Sequence, residues 1–205
     1  DNWKIDLDDI RQKMNDSVKL LVLINPNNPT GNIATKSEIE QLIGIAKEWP
    51  KCTIIADEIY DGLDFKDSFV SVASISESVP VITLNGVSKV YFAPGWRIGY
   101  MAWHDPDDRL ALVRDGVERI LRSRLCASTP AQYGYLAGLK NSHDWLSVHR
   151  KLTEKRMNYC LKRIKEIDGI SCESPTGAFY LFVRLTNPEH YKNDKKWVLD
   201  LLHEE

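Results

Sequence analysis

At 205 residues and 43% hydrophobic content, the chain is long enough for one large core or one domain plus part of another, which excludes a disordered protein. Its 27 Lys and Arg against 29 Asp and Glu give a net charge of −2 with no long single-sign block, so nothing steers it to nucleic acid or to an anionic membrane surface. The charge pattern leaves a small molecule as the expected partner.

The longest aliphatic run, Leu20 to Ile24, falls far short of the roughly 18 to 20 residues that span a bilayer, so no membrane span is expected. The N-terminus shows no basic region followed by an apolar one, and a chain that opens at Asp1 reads as trimmed or cut from something longer. Cys52, Cys126, Cys160 and Cys172 lie far apart with no CxxC pair, which fits reduced thiols in a cytoplasmic protein. The closest histidines, His143 and His149, lack a helix-face metal spacing, and no metal site is expected.

In chain order, Val18 to Ile24 is a β-branched and Leu-rich run without polar alternation, the pattern of a parallel strand buried on both faces. It ends in Asn25-Pro26-Asn27-Asn28-Pro29-Thr30-Gly31, whose prolines restrict the backbone and whose Asn side chains present amides at the strand's C-terminal end, where open α/β sheets place ligands. Thr35 or Ser37 can cap the following helix, which carries Ile39, Leu42, Ile43 and Ala46 as an apolar stripe and stops at Trp49-Pro50. Cys52 to Ala56 is a second buried-strand run leading into Asp57-Glu58-Ile59-Tyr60, so the unit is a βαβ crossover with a parallel strand pair.

Val79 to Leu84 is a third run and leads into Asn85-Gly86-Val87-Ser88-Lys89; Ile98 to Trp103 is a fourth. Three successive strands thus deliver Asn28, then Asp57 with Tyr60, then Lys89 at equivalent ends, which argues for a shared site over three separate structural roles. From Asp107 the pattern turns helical, with Leu110, Leu112, Val113, Val117, Ile120 and Leu121, then a second helix from Thr129-Pro130 to Leu139 and a long one from His143 to about Ile167. After Asp168-Gly169 strands are expected again, over Ile170 to Cys172 and Pro175 to Arg184, and a last helix begins at Asp194 and runs toward Glu205.

Assembled in order, Asn-Pro-x-Asn-Pro-Thr-Gly at 25 to 31, Asp-x-x-Tyr at 57 to 60, Ser-Lys at 88 and 89, and Gly-Trp-Arg-Ile-Gly at 95 to 99 resemble the pyridoxal-phosphate-dependent class I/II aminotransferases of fold type I. Pro-x-Gly-Ala-Phe-Tyr at 175 to 180 is similar to that family's small-domain signature. The resemblance runs from about Trp3 to Tyr180. It implies a mixed, mostly parallel sheet with helices on both faces, a cofactor-binding large domain over residues 1–145, and the start of a small α+β domain over 146–205.

By the same resemblance, Lys89 matches the Schiff-base lysine that also shuttles the proton between the substrate α-carbon and the cofactor. Asp57 matches the partner of the pyridine nitrogen, and Asn28 and Tyr60 match donors to the cofactor's phenolic oxygen. Arg97 matches the phosphate clamp, where a planar fork holds two oxygens of a dianion. Many relatives carry a hydroxyl three residues before the lysine; Gly86 stands there, and Ser88 either reaches the phosphate instead or is an ordinary turn serine. The family's phosphate loop and ring-stacking aromatic would precede Asp1, and its substrate-carboxylate arginine would follow Glu205. The chain therefore reads as the central and early C-terminal portion of a longer enzyme, with the isolated portion expected to be inactive.

The implied activity is ping-pong transfer of an amino group between an amino acid and a 2-oxo acid, with pyridoxal 5′-phosphate as cofactor and a homodimer as the full-length assembly. A C–S β-lyase or other eliminating enzyme uses the same Lys89 and Asp57 and stays open. So does an aminotransferase-like effector domain of a transcription regulator, which would carry a DNA-binding region ahead of this fold.

Overall fold

A computed structural model describes residues 3–141, 143–187 and 192–204. Its main sheet has four strands in the order β1 (Leu20–Ile24), β2 (Thr53–Asp57), β3 (Val81–Gly86) and β4 (Gly99–His104). The first three run parallel and β4 is antiparallel to β3, so the sheet is mixed and mostly parallel. Seven α-helices accompany it among the described residues: α1 (Leu7–Lys13), α2 (Lys36–Lys47), α3 (Val72–Ile75), α4 (Ala111–Ser123), α5 (Thr129–Asn141), α6 (His143–Ile164) and α7 (Asp194–Glu204). None is long and apolar enough to cross a membrane.

The βαβ unit forms where its sequence signals lie. Thr35 caps α2 in a capping box: its hydroxyl oxygen accepts from the Glu38 amide (3.2 Å), and Glu38 Oε2 accepts from the Thr35 amide (2.7 Å). Ile39, Ile45 and Ala46 of α2 then pack against Ile54 and Ala56 of β2 and Val81 of β3, with Met14, Val72 and Val79 closing the cluster. Fully burying an aliphatic side chain of this kind contributes about 1.5–3 kcal/mol, so this cluster holds the sheet to α1, α2 and α3. The short helices α1 and α3 have no counterpart in the sequence reading. Asp6 caps α1 by accepting from the Asp9 amide (2.8 Å).

Residues 58–72 are tied down by two buried carboxylates. Asp64, 4% exposed, accepts from the amides of Lys66 (2.8 Å), Ser68 (2.5 Å) and Phe69 (2.6 Å). Glu58 accepts from the Val72 amide (3.0 Å), joining the end of β2 to the start of α3.

The expected strand over Pro175 to Arg184 forms only as β6 (Val183–Leu185), which pairs antiparallel with β5 (Ile170–Cys172) in a separate two-stranded sheet. Residues 175–182 instead cross to the main sheet's loops, because their backbone groups bond there: Thr176 and Gly177 donate to Gly31 O (2.9 Å each), Ala178 donates to Leu63 O (2.8 Å), and Thr176 O accepts from Phe65 (3.0 Å). The division expected between residues 145 and 146 falls within α6. Glu205, the last residue of the expected terminal helix, lies outside the described residues.

Burial pushes the Glu58 carboxyl above the ordinary glutamate range, against the opposing pull of the Val72 amide. A folded-state value above the unfolded value of about 4.3 means the group's contribution is fully present below that pH and is lost as pH rises through the folded value. Glu58→Gln, which keeps the acceptor for Val72, is therefore expected to gain stability over the unaltered protein at pH 7.5 and to lose that advantage at pH 4. Urea midpoints at the two pH values measure it, and an advantage that is unchanged or larger at pH 4 contradicts it.

Candidate active site

The parallel register sets the position of the site. Ile24 pairs with Asp57 and Asp57 with Leu84, so these three stand on one cross-strand row at the C-terminal ends of β1, β2 and β3. All three line a cavity of about 510 Å³, together with Asn28, Tyr60, Ser88, Lys89 and Arg97. Its size and its few convergent polar groups suit a small cofactor or substrate. The six residues singled out in the sequence are thus brought together in one place.

Each polar wall has a local cause. The chain leaves β1 through Asn25, whose amide donates to Asp57 O (3.0 Å) and whose side-chain oxygen accepts from Ala34 (2.9 Å), fixing the ends of the loop that carries Asn28. The Asn25-Pro26 and Asn28-Pro29 peptide bonds are both cis. Gly31, at φ +69°, closes that loop against Pro175, whose Cβ would lie 2.4 Å from any Cβ at position 31. Asp57 accepts from the Ile59 amide (3.2 Å), which turns the chain so that Tyr60 comes under Asn28.

Tyr60 is 2% exposed, and its hydroxyl accepts from Asn28 Nδ2 (3.5 Å) and shares a hydrogen bond with the Tyr180 hydroxyl (2.5 Å). Burial, and then Tyr180, push the Tyr60 hydroxyl above the ordinary tyrosine range, so it remains a protonated donor at neutral pH.

Beyond β3, Lys89 sits in a turn held by Phe92 donating to Lys89 O (3.1 Å) and Ala93 donating to Val87 O (3.2 Å). The 3-10 turn Pro94–Trp96 follows, and Arg97 ends it in the left-handed region at φ 53°, a conformation that costs a residue with a Cβ roughly 1 kcal/mol. There Arg97 Nη1 donates to Pro94 O (2.9 Å), holding one side of the guanidinium fork. Among the described residues neither Lys89 nor Arg97 has an ion-pair partner, and Asp57 is the only carboxylate lining the cavity. Lys89 and Arg97 with the uncharged donors Asn28, Tyr60 and Ser88 around one carboxylate fit a small, mainly anionic ligand such as a phosphorylated cofactor.

A Cβ at position 86 would stand 2.7 Å from Ile98 O and 3.0 Å from Gly99 Cα, so the hydroxyl-bearing side chain that the family resemblance leads one to expect there has no room. Ser88 lines the cavity from the next turn. Sequence reasoning assigned no role to Asn85 and Tyr180. Asn85 lines the cavity and donates to the half-buried Asp61 (2.9 Å), and Tyr180 reaches Tyr60 from 120 positions away. The signal for Tyr180 was its place in Pro-x-Gly-Ala-Phe-Tyr, but nothing local points to its partner.

The model of the family described as "Aminotransferase class I and II" matches residues 1–205. The chain belongs to the class I and II aminotransferase family. It is 35% identical over 206 residues to an alanine aminotransferase of Mycobacterium bovis, covering 98% of this chain and 47% of that protein. A glutamate-pyruvate aminotransferase of Escherichia coli is also 35% identical, over 209 residues, covering 100% of this chain and 51% of that protein. The solved structure of an alanine aminotransferase from Pyrococcus furiosus superposes with a TM-score of 0.93 at 46% identity, covering 98% of this chain and 51% of that one. The chain spans about half the length of these relatives, and its architecture is that of fold type I aminotransferases.

Gly31→Ala adds a side chain where Pro175 already stands and at a φ that side chains disfavour, so residues 175–178 are expected to detach from the loop. Hydrogen exchange then shows faster exchange at the amides of Thr176, Gly177 and Ala178 while the amides of β2 keep their protection. Equal protection at 176–178 in both proteins contradicts this account of the junction.

Proposed function

We propose that the intact protein is a pyridoxal-phosphate-dependent aminotransferase and that this chain carries the cofactor-binding side of its site. The observation that carries the reading is the convergence of Asn28, Asp57, Tyr60, Lys89 and Arg97 on one cavity from the ends of three parallel strands and the turn beyond them. The similarity to alanine and glutamate-pyruvate aminotransferases supports amino acid and 2-oxo acid substrates, exchanged by a ping-pong route.

When bound, pyridoxal 5′-phosphate supplies an aldehyde that condenses with amines and a protonated ring that absorbs electron density. Lys89 would hold the cofactor through its amine, and that amine, when free, would carry a proton to and from the substrate α-carbon. The Asp57 carboxylate keeps the ring nitrogen protonated. Asn28 and the protonated Tyr60 donate to the ring oxygen. Arg97 presents a planar fork to the phosphate, and Ser88 adds a hydroxyl from the turn beside Lys89. On this reading the protein works in the cytoplasm as a homodimer; the four cysteines without a disulfide fit the first, and the exposed Leu112, Ile120 and Leu121 of α4 fit the second.

With the cofactor added, the intact protein is expected to show a visible absorbance band that Lys89→Ala abolishes, and 2-oxoglutarate-dependent consumption of an amino acid that disappears with it. Asp57→Ala is expected to bind the cofactor yet lose turnover, because it removes the electron sink. Arg97→Gln gives up charge-assisted bonds of about 1.5–3 kcal/mol and weakens cofactor binding roughly tenfold to a hundredfold. Pyruvate and ammonia release without a 2-oxo acid acceptor would replace amino transfer by elimination.

A further inference from the structure

A second cavity of about 930 Å³ adjoins the first, lined on one side by residues of α6 and on the other by 175–181. Ser88, Lys89 and Pro94 line both cavities, while Tyr60 lines only the smaller and Tyr180 only the larger. The two phenols therefore stand as a hydroxyl-to-hydroxyl bridge between them, at 2.5 Å. Their rings meet edge to face at 5.5 Å, and Phe179 holds Tyr60 from another side at 5.4 Å. The backbone bonds of Thr176, Gly177 and Ala178 to Gly31 and Leu63 fix the loop that brings Tyr180 there.

A phenol has one proton to give, and its oxygen accepts in return. The amide nitrogen of Asn28 can only donate to Tyr60. If Tyr60 gave its proton to Tyr180, it would face the smaller cavity as an acceptor alone, with nothing to offer an anionic ring oxygen. If Tyr180 donates, the Tyr60 proton is released toward that cavity. We propose that Tyr180 is a positioning residue that donates its hydroxyl proton to Tyr60 and thereby commits the Tyr60 proton to the oxygen of the cofactor ring. The role extends the cofactor reading given above and rests on it.

The charged and titratable groups around the pair come from every neighbouring element. Asp57 lies at the end of β2, Lys89 and Arg97 in the connection after β3, and His149, Arg156 and Cys160 on the α6 wall of the larger cavity. Of these, Asp57 adds to the upward push on the Tyr60 hydroxyl, after burial and Tyr180. A donor at the ring oxygen withdraws its negative charge and weakens its hold on the proton shared with the Lys89 nitrogen. That lowers the pH at which the cofactor's visible band changes.

The test is a pH titration of that band in the pyridoxal-phosphate-loaded protein, with Tyr60→Phe, Tyr180→Phe and the double variant. Tyr180→Phe removes one oxygen and keeps the ring. It is expected to raise the midpoint by about half to one pH unit, the effect of one hydrogen bond. Tyr60→Phe also raises the midpoint, and adding Tyr180→Phe to it moves the midpoint no further, because Tyr180 acts through Tyr60. An unmoved midpoint in Tyr180→Phe, or an equal further rise on the Tyr60→Phe background, overturns the role while leaving the cofactor reading intact. Absence of any band in the unaltered protein overturns the cofactor reading and this role together. Should Tyr180→Phe lose the cofactor altogether, Tyr180→His restores a ring donor and is expected to recover the band with a midpoint near the unaltered value; failure to do so overturns the role.

Discussion

The row that joins Ile24, Asp57 and Leu84 across three parallel strands is the constraint on which the site depends. Parallel strands in register end at the same edge, so the loops that leave them emerge side by side, and side chains on one row face the same way. A slip of one residue in β2 would turn Asp57 to the opposite face and exchange Ile54 and Ala56 for their neighbours in the core. The same burial that makes Ile39, Ile54 and Val81 inaccessible thus fixes the register that aims the carboxylate.

The antiparallel return of β4 completes the arrangement. Because β3 runs out at Gly86 and β4 starts back from Gly99 directly opposite, the whole connection that carries Lys89 and Arg97 stays at that edge. The glycines permit the two strands to close there: a Cβ at either position would come within 2.7 Å of a carbonyl oxygen of the facing segment. The cost is that no side chain from position 86 can serve the cavity, which leaves that wall to Ser88, Lys89 and Arg97 further along the connection.

β1, β2 and β3 were legible as unbroken apolar runs, each ended by polar residues near the cavity. Burial on both faces holds for β2 and β3 but not for β1, which lies at the edge of this sheet and leaves Leu20 and Val22 exposed. The capping box at Thr35 and Glu38 was half legible, since Thr35 and Ser37 compete as caps until the Glu38 side chain chooses. The segment 175–182 was not legible. Its Ala, Phe, Tyr and Leu have strand composition, but its hydrogen bonds go to Gly31, Leu63 and Phe65, partners more than 100 positions away that no period records. Tyr180 was missed for the same reason, and the seven-residue α1 because it is too short to display a stripe.

The walls of the two cavities come from different parts of the chain, and that separates two kinds of demand. The smaller is built from strand ends, where register and buried carboxylates leave little freedom, and on the proposed reading it holds the groups whose chemistry must be placed to within a fraction of an ångström. The larger is lined by Phe92, Trp145, His149 and Leu152, mostly from one face of α6, where a change of side chain alters shape without moving a strand. Lys89 faces both, so on the proposed reading a substrate lies in the larger cavity with its reacting carbon over the smaller. Such a division lets the α6 wall be altered while Asp57, Tyr60 and Arg97 stay in place, provided that the loop ending in Tyr180 keeps its bonds to Gly31 and Leu63. That loop lines the larger cavity and reaches Tyr60 of the smaller one through the Tyr180 hydroxyl, so on the proposed reading changes in it act on the ring-binding groups as well as on the space beside them.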